Sequence, residues 1–213
     1  MHSCPGWLIL TNLTEHDYYM ISVYFYHYMR EEDRRQNLGD NNMGALSIET
    51  ERLIIMPMTY SMVISVINGD KKEFEKLGVN FNASWPRQDT IDILSFIKDT
   101  MPKNDVASGF DVWIIIKKND MSIIGDAGFK GEPDDNGNVE IGFGLIDEEQ
   151  RKGYGYEVAS SLINWATQQN SVKVIKADCL INNVGSIKVL KKCGLNETHR
   201  DHEYIYWERK TCC

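Results

Sequence analysis

The sequence predicts an α+β fold, in which a single mixed, mostly antiparallel sheet is flanked by helices. Residues 112–146 carry three strand-like segments joined by short turns, a pattern typical of an antiparallel meander. From residue 154 onward, segments with helical spacing alternate with short β-rich segments. Consecutive hairpin-linked strands followed by alternating helices and strands favour a mixed sheet with helices packed against it.

The meander consists of three apolar, β-branched segments, Val112–Ile116, Ser122–Phe129 and Val139–Ile146. The turn-forming runs Lys118–Asp120 and Gly131–Gly137 separate them. Connections this short join neighbouring strands of opposite direction, so these three strands are expected to lie side by side.

Seven further elements are expected from the spacing of the apolar residues: a strand at 52–56, helices at 58–68 and 88–100, a helix at 154–169, a strand at 172–179, a helix at 185–192 and a strand at 204–208. Pro57 ends the first of these strands, and Gly194 provides the stop after the last helix. Together the elements define a domain that is expected to run from residue 48 to residue 210.

Residues 1–44 differ in composition and are expected to form an N-terminal appendage to that domain. Five tyrosines crowd the stretch from Tyr18 to Tyr28, and a charged run and a loop-like run follow. Two interpretations stay open. The appendage is poorly ordered, or it is an aromatic docking segment for a partner.

The overall composition excludes several classes of protein. Apolar residues make up 42% and charged residues 25% of the 213 residues, which is an ordinary globular mixture. No apolar run approaches the ~20 residues that span a bilayer, so no membrane association is expected. The net charge of −8 argues against a nucleic-acid groove built on bulk positive charge. The five cysteines form neither zinc-ligand pairs nor a disulfide framework, so reduced thiols and a cytoplasmic location are expected.

The most informative segment is the loop that leads into the helix at 154–169. Gly153 and Gly155 stand where that helix begins, and glycines there let the backbone approach a ligand closely. The free N–H groups and the dipole of a helix start form an anion site, and Arg151 and Lys152 add positive charge. The segment therefore indicates a phosphate or pyrophosphate ligand, or else a tight turn that simply needs glycine.

A dinucleotide-binding loop is one reading of this segment. Asp178 lies 23 residues after Gly155, near where an acid that binds the ribose is expected. However, residues 147–152 separate the glycines from the strand, and too few residues follow Asp178 for a doubly wound sheet. A nucleotide-dependent oxidoreductase is therefore disfavoured, and no Gly-Lys-Ser/Thr of a P-loop occurs.

A family resemblance gives the second reading. Residues Gln150–Gly155 resemble the Gln/Arg-x-x-Gly-x-Gly/Ala signature of the GCN5-related N-acetyltransferase (GNAT) superfamily. Thr50–Leu53, Glu140–Gly142 and Asn183–Gly194 are similar to motifs of its branch that acetylates ribosomal proteins and small molecules. The resemblance covers roughly residues 48–210. It implies a sheet with a splayed central strand pair and an enzyme that uses acetyl-CoA as co-substrate, with no metal.

The resemblance also implies which residues contact coenzyme A. Its pyrophosphate is expected on the loop that begins at Gln150, at the backbone amides of Arg151, Lys152, Gly153, Tyr154 and Gly155. Its pantetheine arm is expected to pair, like an added strand, with the backbone of Leu145 and Ile146. A bulged N–H on that strand would polarise the thioester carbonyl. Asn183 and Ser186 are expected near the thiol.

The implied reaction is direct attack of an amine on the thioester. An alkylammonium has a pKa near ~10, so a base must first remove a proton. Glu140 is the candidate base, and the alternative is that it is a solvated strand carboxylate. Leu190 stands where many family members have a tyrosine that acts as the acid for the departing thiolate. Two alternatives follow: Ser186 donates a hydrogen bond to the sulfur, or no acid is needed. Tyr154 and Tyr156 stay open as alternative acids.

The acceptor is an amine of unstated identity: a protein N-terminus, an amino acid, a polyamine or an aminoglycoside. Trp85 and Arg87 fall in the loop region expected to roof the acceptor site. His199 and His202 resemble metal ligands but lack a third partner, so no metal site is expected. The alternative function is a non-catalytic module that binds acyl-CoA on the same fold.

Overall fold

The computed structural model describes residues 46–211, so the appendage expected at residues 1–44 lies outside the described residues. In the described chain nine strands form the sheet: β1 Ile48–Glu49, β2 Leu53–Pro57, β3 Asn80–Phe81, β4 Val112–Lys117, β5 Ser122–Phe129, β6 Asn138–Leu145, β7 Val174–Leu180, β8 Asn196–Arg200 and β9 Tyr204–Lys210. Their order is β1-β2-β4-β5-β6-β7-β9-β8, and β3 pairs with the start of β5.

The sheet is mixed and mostly antiparallel, which confirms the predicted fold class. Only β3 with β5 and β6 with β7 run parallel among the described strands. The predicted meander is present as β4, β5 and β6, which pair antiparallel through short turns. A doubly wound dinucleotide fold would need a mostly parallel sheet, so that interpretation does not fit.

Five α-helices flank the described sheet: α1 Tyr60–Ile67, α2 Lys72–Glu75, α3 Gln88–Ile97, α4 Tyr154–Thr167 and α5 Val184–Lys192. Two of them begin at side-chain caps that the sequence supplies. Thr59 accepts from the Met62 N–H at the start of α1, and Asn183 accepts from the Ser186 N–H at the start of α5. None of the described helices is long and apolar enough to cross a membrane.

The core lies on both faces of the central strand β4. Its first five residues are all buried, because helices or loops cover both faces of a central strand. The predicted stripe of α4 packs inward, and its residues Val158, Ala159, Leu162, Ile163 and Ala166 are buried. Cys179 and Cys193 are buried free thiols, as expected for small core residues.

Strand β8 is not among the elements that the sequence predicts. All five of its residues are exposed and polar, so the sequence carries no apolar alternation there. The strand exists because its backbone pairs with β9 at the edge of the sheet. His199 on this strand stacks on Tyr206, with ring centroids 4.2 Å apart.

The parallel pair β6 and β7 separates, and this separation positions the site. The two strands pair only from Asn138 to Glu140 on β6, opposite Val174 to Lys176 on β7. Beyond Glu140, β6 stays with β5 and β7 stays with β9. A wedge-shaped gap therefore opens between them, as the resemblance implied.

Candidate active site

The backbone of β6 faces the gap at alternate residues. Lys130 N–H donates to the Glu140 carbonyl (2.9 Å), and Ile146 N–H donates to the Ile124 carbonyl (3.0 Å). Even-numbered residues of β6 therefore pair with β5, because hydrogen-bonding residues alternate along an antiparallel strand. It follows that Phe143 and Leu145 direct their N–H and C=O groups into the gap.

Ile146, one of the two residues expected to pair with pantetheine, has both backbone groups occupied. Its N–H is held by Ile124, and its carbonyl accepts from the Glu149 N–H (3.0 Å). The Leu145 carbonyl accepts from Arg87 Nη1 (3.2 Å) and Gln150 Nε2 (3.1 Å). The residues that can pair with pantetheine as an added strand are therefore Phe143 and Leu145, and the expectation for Ile146 is wrong.

The expected bulge in β6 is not found. Five consecutive pairs join β5 and β6 in continuous register, from Gly125 with Leu145 to Phe129 with Ile141. A bulge would shift this register by one residue. The groups that remain to polarise a carbonyl in the gap are the regular N–H groups of Phe143 and Leu145.

The loop after β6 presents unpaired donors to the solvent. Arg151 and Gly153 have positive φ angles of 62° and 88°, and Gly153 is the N-cap of α4. The N–H groups of Arg151, Lys152 and Gly153 meet no acceptor within the described chain. Successive N–H groups in left-handed turns form a concave anion site, and the start of α4 adds its dipole. Gly155 is the second residue of α4 and has no side chain, so no Cβ atom stands at this position of the first turn.

Charge beside this loop is supplied by two basic residues in different ways. Lys152 pairs with the buried Glu149 (2.9 Å), which also binds Lys117 (2.8 Å). Burial alone would raise the pKa of Glu149, but the two lysines hold it below its usual value. Arg151 is exposed and pairs with no carboxylate of the described residues, so its guanidinium can meet an anion.

Arg52, which precedes β2, contacts the loop at 151–153 through its side chain. The sequence analysis did not assign it this role. Its Nη1 donates to the Lys152 carbonyl (2.9 Å), and its guanidinium lies 4.3 Å from the Tyr154 ring centroid. It also binds Glu157 through Nε (2.8 Å) and Nη2 (2.6 Å). The only signal in the sequence was its place in the opening-strand motif.

Glu140 belongs to a cluster with Lys130 and Asp178 on the face of the sheet away from α4. Lys130 binds Glu140 and lies 3.1 Å from Asp178. Burial first, and then the hydrogen bond with Asp178, raise the pKa of Glu140 despite the nearby lysine. Glu140 therefore lies at the closed end of the gap and is ion-paired rather than simply solvated.

The residues expected near the thiol lie at the start of α5. The side-chain oxygen of Asn183 caps the helix, and Ser186 is partly buried in its first turn. Leu190 is 1% exposed and packs in the core, so no acidic group stands at this position. Tyr156 lies under Lys192, whose Nζ is 3.8 Å from the ring centroid.

Of the two expected roof residues, Trp85 contacts a carboxylate that the sequence analysis did not single out, and Arg87 does not. Trp85 Nε1 (3.0 Å) and Thr90 Oγ1 (2.6 Å) both donate to Asp126 Oδ2. Burial raises the pKa of Asp126. Arg87 pairs with Asp89 and binds the Leu145 carbonyl. The available signal was an acid in an otherwise apolar strand, since Asp126 interrupts the buried run of β5.

Comparison with known protein families identifies the family to which this chain belongs. The family model described as acetyltransferase (GNAT) domain matches residues 52–196, which is most of the chain. The chain belongs to the GNAT family. The match includes the signature loop of this GNAT protein, the splayed strand and the start of α5.

Relatives of this GNAT protein agree with that assignment. The chain is 38% identical over 160 residues to the uncharacterized N-acetyltransferase YjdG of Bacillus subtilis, covering 75% of this chain and 95% of that one. The chain is accordingly an N-acetyltransferase. Its fold is similar to a ribosomal-protein-S5-alanine acetyltransferase from Vibrio fischeri (TM-score 0.54, 17% identity, 78% and 97% of the two chains). It is also similar to the microcin C7 self-immunity acetyltransferase MccE (TM-score 0.52, 15% identity, 76% and 93%).

Proposed function

We propose that this protein transfers the acetyl group of acetyl-CoA to a primary amine of a small molecule or of a protein N-terminus. The proposal depends on the position of the gap relative to the loop. The gap between β6 and β7 opens directly beside the loop at 151–153, whose N–H groups have no acceptor within the described chain. Fold-level support comes from MccE, whose structure holds acetyl-CoA, and from a RimL acetyltransferase structure that holds coenzyme A.

The residues present fit coenzyme A. The backbone N–H groups of Arg151, Lys152 and Gly153 would hold the pyrophosphate, with Tyr154 and Gly155 at the first turn of α4. The N–H and C=O groups of Phe143 and the N–H of Leu145 would hold the amides of the pantetheine arm as a neighbouring strand does, since the Leu145 carbonyl is occupied by Arg87 and Gln150.

Glu140 accepts the proton of the acceptor ammonium in this proposal, through a water molecule. A carboxylate whose pKa is raised by burial is a better proton acceptor than an ordinary one. Lys130 opposes this effect and favours the ionised form. The deprotonated amine then attacks the thioester carbonyl, the C–N bond forms and the C–S bond breaks, and the second proton of the nitrogen passes to the departing thiolate or to solvent.

The departing thiolate needs little help in this proposal. A thiol has a pKa near ~8.5, so it leaves readily without an acid. Leu190 supplies no proton, and the partly buried hydroxyl of Ser186 is the donor proposed for the sulfur. Asn183 acts by fixing the turn that carries Ser186 (Oδ1 to N, 3.0 Å).

A thiol-release assay with acetyl-CoA and a panel of primary amines tests the proposal. Amine-dependent release is expected from at least one member of the panel. The ion pair between Lys130 and Glu140 favours one alternative, a non-catalytic module that binds acyl-CoA. That alternative predicts calorimetric binding of acetyl-CoA with no thiol release from any amine.

A further inference from the structure

An open trough runs along β6 on the face that carries Glu140. Gly142 and Gly144 share this face with Glu140, because side chains alternate along a strand. A Cβ atom added at either glycine would meet no heavy atom within 4 Å. The opposite face is filled, since Phe143 and Leu145 pack toward Gly155 of α4. The trough is thus bare backbone with space above it, between β6 and the loop that carries Trp85.

Asp126 stands at the other end of this trough. It pairs with Gly144 across the two strands, so its side chain lies on the same face. Trp85 and Thr90 both donate to its Oδ2, which fixes the carboxylate. Its Oδ1 accepts no hydrogen bond from the described chain and stays accessible to solvent, since the residue is only partly buried. One oxygen is therefore held by the chain, and the other is free to accept a hydrogen bond from solvent or from a ligand.

The charge of Asp126 has no dedicated counterion among the described residues. Arg87 is the nearest cation, but its guanidinium is engaged by Asp89 and by the Leu145 carbonyl. Glu140, at the far end, is already compensated by Lys130. The trough thus presents a fixed carboxylate at Asp126 that Arg87 compensates only in part and without direct contact.

The two carboxylates are too far apart to contact one ammonium. Gly144, the partner of Asp126, is four residues from Glu140, and four residues of strand span about 13 Å. A monoamine beside Glu140 would leave Asp126 unpaired.

We propose that the acceptor is an amine that carries a second positive charge, and that Asp126 Oδ1 binds this second cationic group. The reacting amine then lies at the Glu140 end, over the bare backbone of Gly142 and Gly144. Asp126 is a specificity residue in this assignment, since it contacts the acceptor away from the reacting atoms. The proposal rests on the proposed acetyl transfer and names the class of its acceptor.

The test compares α,ω-diaminoalkanes of increasing length with the n-alkylamines of the same length, using full-length protein and acetyl-CoA. At the best length, kcat/KM for the diamine should exceed that for the monoamine by roughly 10–100-fold, the worth of a hydrogen bond to a charged group. Asp126→Asn keeps an oxygen for Trp85 and Thr90 but removes the charge. It should raise KM for the diamine and leave the monoamine unchanged.

Asp92→Asn, on the exposed face of α3, removes the same charge outside the trough and should keep the preference. Calorimetry gives an independent readout. The coenzyme A complex should bind the diamine more tightly than the monoamine, and Asp126→Asn should lose that difference. Equal use of both amine types, or equal losses for both in Asp126→Asn, would overturn the dicationic acceptor alone. Absence of thiol release with every amine would instead refute the proposed acetyl transfer and the inference with it.

Discussion

Arg52 and Glu157 form a forked ion pair that ties the segment before β2 to the first turn of α4. Both Arg52 Nε (2.8 Å) and Nη2 (2.6 Å) contact the same carboxylate oxygen, and the Arg52 backbone N–H contacts the other (3.1 Å). Thr50 Oγ1 adds a hydrogen bond of 2.5 Å. Burial would raise the pKa of Glu157, yet Thr50 and Arg52 hold it below its usual value. The pair thus fixes the loop that is proposed to bind pyrophosphate.

Arg52→Lys should weaken coenzyme A binding without stopping the chemistry. Lysine keeps the charge but cannot hold Glu157 and the Lys152 carbonyl in one planar fork. The loop then becomes less ordered before binding, and Kd for coenzyme A should rise by about 3–10-fold, the worth of one net hydrogen bond. Calorimetry measures this change. Arg200→Lys, which disturbs the similar pair with Glu197 on β8, is the control and should leave Kd unchanged.

Gly153→Ala should lower coenzyme A affinity because φ at this position is 88°. A side chain at such an angle costs about 1–2 kcal/mol, and the loop can relieve this strain only by turning its N–H groups away. Gly78→Ala is the control for the positive φ, since Gly78 has φ of 64° and lies in the turn before β3; a Cβ there meets nothing within 4 Å, whereas one at Gly153 would lie 3.3 Å from the flexible end of Arg52. Both variants should lose similar thermal stability. Equal affinity of both for coenzyme A would contradict the proposed role of the loop.

Gly144→Ala should impair the acceptor and spare coenzyme A. The added Cβ meets no atom within 4 Å, so the fold should tolerate it. The methyl group would stand in the proposed trough, and KM for the amine should rise severalfold. Steady-state kinetics with varied amine, together with calorimetry of coenzyme A, separate the two effects. An unchanged KM would show that the amine does not cross this face.

Glu140→Gln should lower turnover by about 10²–10⁴, the usual contribution of a general base. Coenzyme A affinity should stay the same, because the loop contacts are elsewhere. In the wild-type protein the carboxylate must be ionised to accept a proton. Its pKa is raised, so turnover should fall as pH drops through a value above the ordinary glutamate range.

That acidic limb should disappear in Glu140→Gln, and raising the pH should recover part of its rate, because free amine then comes from solution. A pH–rate profile of both proteins measures these effects. A variant that turns over normally at neutral pH would return Glu140 to the role of a strand carboxylate that shapes the site.

Local signals in the sequence predicted most of the fold and the glycine turn at the start of α4, whose anion binding stays a prediction. The glycines at 153 and 155, the stripe of α4 and the hairpin turns of the meander act through neighbours in the chain, so a pattern reveals them. Strand β8 escaped because its residues are polar on both faces and its pairing with β9 is a backbone property.

The rest of the site depends on register and on distant contacts. A shift of one residue in the register between β5 and β6 would exchange the backbone groups that face β5 with those that face the gap. The sequence does not show this register, so it could not tell whether Phe143 or Ile146 faces the gap. Arg52 reaches Glu157 across more than a hundred residues of chain. Asp126 becomes prominent only when β5 brings it under Trp85 and opposite Gly144.

The most direct test of the central claim is a mass balance on one reaction mixture. The full-length protein is incubated with acetyl-CoA labelled in the acetyl group and with an amine it accepts, and both products are quantified. The account predicts equal amounts of free coenzyme A thiol and N-acetylated amine, with neither formed when the amine is omitted. Thiol released at the same rate without amine would mean hydrolysis, and bound acetyl-CoA with no thiol at all would mean a binding module; either result would contradict amine acetylation.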